Sequence, residues 1–140
     1  MMIRFIDLFC GLGGFHISIE NACKNLNIPY ECVFACDIKP IAKQTYEKNF
    51  NIIPKDDITK IETKNIPDFD ILCAGFPCQP FSNAGNRLGF EDTRGTLFFE
   101  IARILKDKQP SMFILENVEG LTTHNQGKTF QTIIDVLTNE

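Results

Sequence analysis

Short runs of apolar residues alternate along the chain with stretches in which apolar residues recur every three or four positions. Four runs rich in strand-forming side chains predict strands: residues 3–8, 32–36, 69–74 and 111–115. Four stretches of helical spacing predict helices: residues 15–26, 40–50, 97–105 and 130–137. Asp57, Ile58 and Ile61 predict a short strand or a turn between the second helix and the third strand.

Strands that alternate with helices predict an α/β fold, in which a mostly parallel sheet carries helices on both faces. Ligands of such sheets bind beyond the carboxyl ends of the strands. Each predicted strand is followed there by residues suited to binding or chemistry: a glycine-rich turn at 11–14, then Asp37, a loop with Cys78, and Glu116. We therefore expect one site at this end of the sheet.

Length and charge narrow the class of protein. The chain has 140 residues, 44% of them hydrophobic, which suits one globular domain or part of one. Its formal net charge of −4 gives no basic footprint for a nucleic-acid backbone. Arg4 and Asp7 interrupt the N-terminal apolar run, and no apolar stretch approaches the roughly 20 residues of a membrane-spanning helix. We expect a cytoplasmic protein without a membrane segment.

The six cysteines are interpreted as reduced thiols, because no export signal accompanies them. Cys32 and Cys36 have a loose spacing with no second pair, and His16 and His124 have no partners at ligand spacing, so we expect no metal site. Three further cysteines lie in or beside apolar segments and are expected to pack as small hydrophobic side chains: Cys10, Cys23 and Cys73.

The turn at residues 9–14, Phe-Cys-Gly-Leu-Gly-Gly, allows a ligand to approach the backbone closely because glycine has no side chain. Asp37 follows the second strand roughly 20 residues later, where a carboxylate can accept hydrogen bonds from ribose hydroxyls. Together they indicate a cofactor that contains a nucleoside. The same pattern suits a dinucleotide oxidoreductase, and the glycines could also serve only a tight turn.

Residues 75–82, Gly-Phe-Pro-Cys-Gln-Pro-Phe-Ser, hold Cys78 between two prolines just beyond the third strand. Proline stiffens the backbone, so this cysteine is interpreted as positioned for chemistry. Glu116, Asn117 and Val118 follow the fourth strand in the corresponding place.

These segments, taken in order, resemble the cytosine-C5 methyltransferases of restriction-modification systems. The resemblance rests on residues 5–9, Phe-Ile-Asp-Leu-Phe, with the glycines that follow, and on residues 75–82 and 116–118. Further matches at residues 57–58 and 94–99 extend it over nearly the whole chain. It implies the Rossmann-like fold of S-adenosylmethionine-dependent methyltransferases, with residues 1–140 as the N-terminal part of the catalytic, cofactor-binding domain.

The resemblance also implies roles for single residues. Ten would bind S-adenosylmethionine: Phe9, Gly11, Leu12, Gly14, Asp37, Ile38, Asp57, Ile58, Pro77 and Leu97. Cys78 as a thiolate would bond to C6 of a cytosine flipped out of DNA, and Glu116 would donate a proton at N3. Four would contact the substrate: Gln79, Ser82, Arg94 and Asn117.

The chain departs from the family pattern in its later part. It contains no match to the family's later arginine-bearing motif, target-recognition region or final cofactor-pocket segment. We therefore expect the chain alone to be inactive or nearly so, and to need a complementary C-terminal subunit or chain segment. Two alternatives stay open: a transfer-RNA cytosine-C5 methyltransferase, and a non-catalytic remnant or subunit that binds S-adenosylmethionine.

Overall fold

The computed structural model describes residues 1–77 and 97–139. In that part of the chain, strands and α-helices alternate as predicted: β1 (Ile3–Leu8), α1 (Gly14–Leu26), β2 (Tyr30–Cys36), α2 (Pro40–Phe50), β3 (Ile71–Gly75), α3 (Leu97–Lys108), β4 (Met112–Glu116) and α4 (Lys128–Asn139). Short 3₁₀-helices lie between several of them: Ile58–Lys60, Thr63–Asn65, Glu119–Thr122 and His124–Gly127.

The four strands form one parallel sheet in the order β2-β1-β3-β4, which confirms the predicted α/β class. Leu8 is paired with Cys36 of β2 and with Ala74 of β3, and Gly75 is paired with Glu116 of β4. Because the strands are parallel and in this register, their carboxyl ends meet at one edge of the sheet. The segments that follow them are brought together there.

The alternation of side chains gives the sheet two different faces. Ile6 and Leu8 of β1 belong to the larger core, together with Phe98, Ile101 and Ile104 of α3, all of them buried. Phe5 and Asp7 point to the other face, because side chains alternate along a strand. On that face the ring of Phe5 lies edge-on to the ring of His16 of α1, with 5.1 Å between centroids.

Several boundaries differ from the sequence-based prediction by up to three residues. β3 begins at Ile71 rather than at residue 69, because Asp70 is hydrogen-bonded to β1 through its side chain as well as its backbone. The Asp70 amide donates to the Arg4 oxygen at 2.7 Å, and the Asp70 carboxylate accepts from the Arg4 amide at 2.8 Å. Of the two options for residues 57–61, the turn is correct. Asp57 caps the 3₁₀-helix Ile58–Lys60 by accepting from the Thr59 amide at 3.0 Å.

Within the two described ranges, no helix combines the length and the apolar character needed to cross a membrane.

Candidate functional site

A cleft of about 870 Å³ opens at the carboxyl ends of β1, β2 and β3. A smaller compartment of about 110 Å³ adjoins it, and the two share Phe9, Asp37, Ile38 and Leu97 as lining residues. Of the ten predicted cofactor-binding residues, Gly14 alone lines neither space. The fold therefore brings together residues that lie as far apart in sequence as Phe9 and Leu97.

The glycine turn enters the cleft in a left-handed backbone conformation, with φ of 55° at Phe9, 52° at Gly11 and 91° at Gly13. Hydrogen bonds hold it: the Cys10 amide donates to the Cys36 oxygen at 2.9 Å, and the Gly13 amide donates to the Cys10 oxygen at 2.8 Å. A Cβ on Gly11 would meet no atom within 4 Å. The turn thus presents bare backbone to open space, as close approach of a ligand requires.

Gly13 and Gly14 have different surroundings. A Cβ on Gly13 would overlap the ring of Phe50, with Cζ only 2.6 Å away, so this glycine is required by packing. A Cβ on Gly14, the first residue of α1, would meet nothing within 4 Å. The role of Gly14 in cofactor binding stays a prediction.

The Asp37 carboxylate is held by two backbone amides at the rim of the cleft. Its Oδ2 accepts from the Gly11 amide at 2.9 Å, and its Oδ1 accepts from the Lys39 amide at 2.8 Å. These bonds fix the carboxylate against the glycine turn and leave each oxygen a further lone pair. A half-buried carboxylate with this geometry can accept hydrogen bonds from a vicinal diol such as a ribose.

The smaller compartment has apolar walls and three acidic residues, Asp37, Asp56 and Asp57. Phe9, Ile38 and Leu97 line it together with Asp57 and Ile58. Hydrogen bonds from the amide and hydroxyl of Thr59 to Asp57 Oδ1, at 3.0 Å and 2.7 Å, hold the pKa of Asp57 below its ordinary value. Asp57 is therefore ionised at neutral pH and can accept a hydrogen bond from a ligand.

On the side of β4, Glu116 and Asn117 take up different positions. A Cβ on Gly75 would lie 3.0 Å from Glu116 Oε2, so the exposed carboxylate of Glu116 reaches over the backbone of β3. The Asn117 side chain donates to the Phe76 oxygen at 2.8 Å and accepts from the Val118 amide at 2.8 Å. Asn117 thereby ties the end of β4 to the backbone two residues before Cys78.

Several predicted site residues lie outside the described residues: Cys78, Gln79, Ser82 and Arg94. Pro77, which directly precedes Cys78, lines the large cleft. The predicted roles of these four residues and the substrate contact of Asn117 stay predictions.

The buried cysteines behave as packed thiols. Cys10, Cys23 and Cys73 are at most 6% exposed, which confirms that they pack in the interior. Burial raises the pKa of Cys32 to about 11 and those of Cys36 and Cys73 to about 12. Such thiols are not thiolates at neutral pH. Among the described residues, no group of three or more His, Cys, Asp or Glu side chains is arranged to hold a metal ion.

A buried polar network below the glycine turn was not predicted. Asp7 is 1% exposed, and burial raises its pKa to about 7 although Tyr46 donates a long hydrogen bond of 3.5 Å to Oδ2. The Tyr46 hydroxyl is also 2.7 Å from Nδ1 of His16, whose pKa burial lowers. Asp7 Oδ1 has no hydrogen-bond partner among the described residues. A neutral acid tolerates this setting better than a carboxylate.

Sequence reasoning also missed part of the cleft lining: Lys39, Pro40, Ile41, Ala42, Gly75 and Phe76. The proline at the start of α2 was a usable signal, because a helix that begins directly after a strand end has its first turn at the same edge of the sheet. The remaining residues carry no such local mark.

Comparison with known proteins gives one consistent result. The family model "C-5 cytosine-specific DNA methylase" matches residues 3–140. The type II methyltransferase M.NgoBV of Neisseria gonorrhoeae is 58% identical over 137 residues, which are 97% of this chain and 32% of that protein. M.HpaII of Haemophilus parainfluenzae is 54% identical over 135 residues, 95% of this chain and 36% of its own length. The chain thus spans about a third of the length of the curated relatives it matches.

Solved structures agree with the sequence relatives. The Dnmt2 methyltransferase of S. pombe superposes with a TM-score of 0.68 at 28% identity, covering 94% of this chain and 41% of that chain. A DNMT2 mutant of Spodoptera frugiperda gives a TM-score of 0.71 at 26% identity, covering 96% and 40%. The sheet and its helices are therefore those of a methyltransferase fold.

Proposed function

The chain belongs to the C-5 cytosine-specific DNA methylase family, and from that premise we propose that it forms the cofactor-binding, nucleophile-bearing part of an enzyme that methylates cytosine C5 in DNA with S-adenosylmethionine. The observation that carries the proposal is the cleft at the strand ends. The cleft is lined by the glycine turn, by the carboxylate of Asp37 and by apolar side chains, together with Pro77, the residue before Cys78.

The cleft residues fit S-adenosylmethionine in size and chemistry. Asp37 offers the free lone pairs that the two ribose hydroxyls need, and the bare backbone at Gly11 leaves room for the ligand. Phe9, Ile38 and Leu97 provide the apolar surface that a purine base needs. When bound, the cofactor supplies an electrophilic methyl group on a positively charged sulfur.

Cytosine C5 is a poor nucleophile until a group adds to C6. We propose that the Cys78 thiolate forms the bond to C6 while Glu116 gives a proton to N3, which moves an electron pair to C5. C5 would then bond to the methyl group as the methyl–sulfur bond breaks, which leaves S-adenosylhomocysteine. Loss of the C5 proton to a base restores the double bond and expels the thiolate, and N3 returns its proton to Glu116, which leaves neutral 5-methylcytosine. The buried thiols of Cys32, Cys36 and Cys73 are unsuited to this role because burial keeps them protonated.

Catalysis by this chain is proposed to need a complementary segment that packs against β4. Met112, Phe113 and Ile114 expose 52%, 44% and 37% of their surface. Beside them runs a groove of about 380 Å³ whose apolar lining includes Phe130 and Ile134 of α4. Such a segment would also supply target recognition and phosphate contacts, which a chain of net charge −4 does not offer on its own.

The test is covalent capture with DNA in which 5-fluorocytosine replaces cytosine. Fluorine cannot leave C5 as a proton does, so the adduct persists after methyl transfer and survives a denaturing gel. The protein used is this chain joined to the segment that follows the matching part of M.NgoBV. We expect an adduct with the unsubstituted protein and none with Cys78→Ser. Glu116→Gln should slow its formation by at least about 100-fold, whereas Glu62→Gln, an exposed control, should not.

Each other outcome points to a different conclusion. An adduct with Cys78→Ser would rule out this nucleophile. An adduct formed only with RNA that carries the same base would favour the transfer-RNA alternative. Binding of S-adenosylmethionine without any adduct would favour the non-catalytic alternative.

A further inference from the structure

Arg103, in the middle of α3, makes contacts that helix stability and the proposed chemistry do not account for. Its guanidinium donates to the backbone oxygens of Ile61 at 3.0 Å and Ile58 at 3.4 Å, and to Thr63 Oγ1 at 2.6 Å. Glu100, one turn earlier, accepts from Nε at 2.9 Å and from Nη2 at 2.6 Å. An ion pair between neighbouring turns of a helix is worth little by itself. In this structure the ion pair with Glu100 orients the guanidinium of Arg103, which in turn holds the segment 58–63.

The segment held by Arg103 begins directly after Asp57. Its oxygens at Ile58 and Ile61 lie at the start and just past the end of the 3₁₀-helix Ile58–Lys60, whose ends leave carbonyl groups without full partners. A guanidinium reaches several acceptors at once because its donors form a rigid planar fork, which the single ammonium of lysine does not. Asp57 fixes the other end by accepting from the Thr59 amide.

The same segment is one wall of the small compartment. Asp57 and Ile58 line it together with Phe9, and Ile58 is 2% exposed. Leu97, at the beginning of α3, lines it as well. Helix α3 thus supplies a wall residue itself and holds a neighbouring wall through Arg103.

We infer that Arg103 is a positioning residue for the cofactor: by holding the backbone at Ile58 and Ile61, it places Asp57 so that the compartment distinguishes adenine from a base without an exocyclic amino group. This inference rests on the proposed function, because it takes the compartment to receive the base of S-adenosylmethionine.

The selectivity follows from the lining. Oδ1 of Asp57 is already occupied by the amide and hydroxyl of Thr59, and Oδ2 has only a 3.7 Å ion pair with the exposed Lys60. Oδ2 of Asp57 is therefore an acceptor with free capacity beside the apolar walls, in a compartment that Asp37 and Asp56 also line. It suits a flat heterocycle with an amino group, and hypoxanthine carries an oxygen at that place.

The experiment is calorimetric titration of the joined protein described above, this chain followed by the segment that continues M.NgoBV, with S-adenosylhomocysteine and with its inosine counterpart. The joined protein without substitutions should prefer the adenosine ligand. Arg103→Lys should weaken adenosine binding by about tenfold, the value of one hydrogen bond, and inosine binding by much less. Thr63→Val, which removes one of the contacts, should do the same more weakly. Lys108→Met, which breaks an ion pair between the same helix and Asp68, is the matched control and should leave the ratio unchanged.

The outcomes separate this inference from the proposed function. If Arg103→Lys weakens both ligands equally, Arg103 is merely structural and the inference is wrong while the proposed function stands. If the joined protein without substitutions binds neither ligand, the proposed cofactor site itself fails. Amide exchange gives the second check: the Lys60 and Ile61 amides, which bond within the turn at 3.1 Å and 3.2 Å, should lose protection in Arg103→Lys. Unchanged protection would contradict the inference.

Discussion

β1 and β4 are similar apolar strands in very different surroundings. β1 reads Ile-Arg-Phe-Ile-Asp-Leu and β4 reads Met-Phe-Ile-Leu-Glu. β1 is paired along both edges, and its last four residues are buried. Among the described strands, β4 is paired with β3 alone, and its first three residues are exposed.

The contrast shows that an apolar run specifies a strand, whereas the segments packed around the strand decide how far its side chains are buried. Around β1 the chain supplies partners on both edges and both faces, enough to bury the carboxyl group of Asp7. Around β4, Phe113 shares a space with α3 and α4, while Met112 and Ile114 point to the opposite face and stay exposed. On the proposed function, the substrate side depends on what covers β4.

The buried carboxyl group of Asp7 in β1 should make the stability of the chain depend strongly on pH. Its pKa is about 7 in the folded chain against an ordinary 3.8, so the folded state holds this proton more tightly. The stability that results is fully present below pH 4 and is lost as the pH rises through 7. The two pKa values differ by an amount worth roughly 4 kcal/mol. We expect the free energy of unfolding of Asp7→Asn, measured in urea relative to wild type, to rise by about that amount between pH 4 and pH 8.

Other groups near Asp7 titrate as well, but they are common to both proteins. His16 from α1 has a lowered pKa and so removes stability as the pH falls below 6.5, which cancels in the difference. The remaining neighbours are Tyr46 from α2, Asp37 and four thiols: Cys10, Cys32, Cys36 and Cys73. If the difference in unfolding free energy between Asp7→Asn and wild type stays constant with pH, Asp7 ionises as it does in water and water reaches its carboxyl group in β1.

Much of the fold could be predicted because it follows from local patterns. Periodicity located the strands and helices, and the parallel arrangement placed the glycine turn, Asp37, Pro77 and Glu116 at one edge. The start of β3 was predicted less accurately, because hydrogen bonds between Asp70 and Arg4 replace regular strand pairing there.

The parts that could not be predicted depend on contacts between distant segments. Arg103 and Ile61 are 42 residues apart, and an arginine on an amphipathic helix looks like any exposed charge. Asp7 was taken as an interruption of an apolar run, whereas burial from both sides makes it part of the interior. Neither leaves a spacing signal in a single sequence.

A second effect, of intermediate size, tests how tightly the β1 side is packed. Gly13→Ala introduces a Cβ that overlaps Phe50, at a φ of 91° that alanine adopts with strain. The ring of Phe50 is stacked 3.9 Å from that of His16, so it has little freedom to move. We expect a loss of about 3 kcal/mol of unfolding free energy in urea. Gly14→Ala is the matched control, because its Cβ meets open space, and should change stability by less than about 1 kcal/mol. If Gly13→Ala and Gly14→Ala change the unfolding free energy equally, the glycine turn is packed less tightly against Phe50 than the structure indicates.

The smallest effect on stability tests the open side. Ile114→Lys places a charge on the exposed edge strand, and such charges oppose pairing between sheet edges. Because Ile114 is already 37% exposed, unfolding free energy should change by no more than about 1 kcal/mol. Sedimentation velocity over a range of concentrations should show that the isolated wild-type chain associates and that Ile114→Lys associates less. Ile53→Lys, at a residue 70% exposed in a loop, is the control. If Ile53→Lys reduces association as much as Ile114→Lys does, the association is a nonspecific hydrophobic interaction. The exposed edge of β4 is then not the surface through which the chain associates.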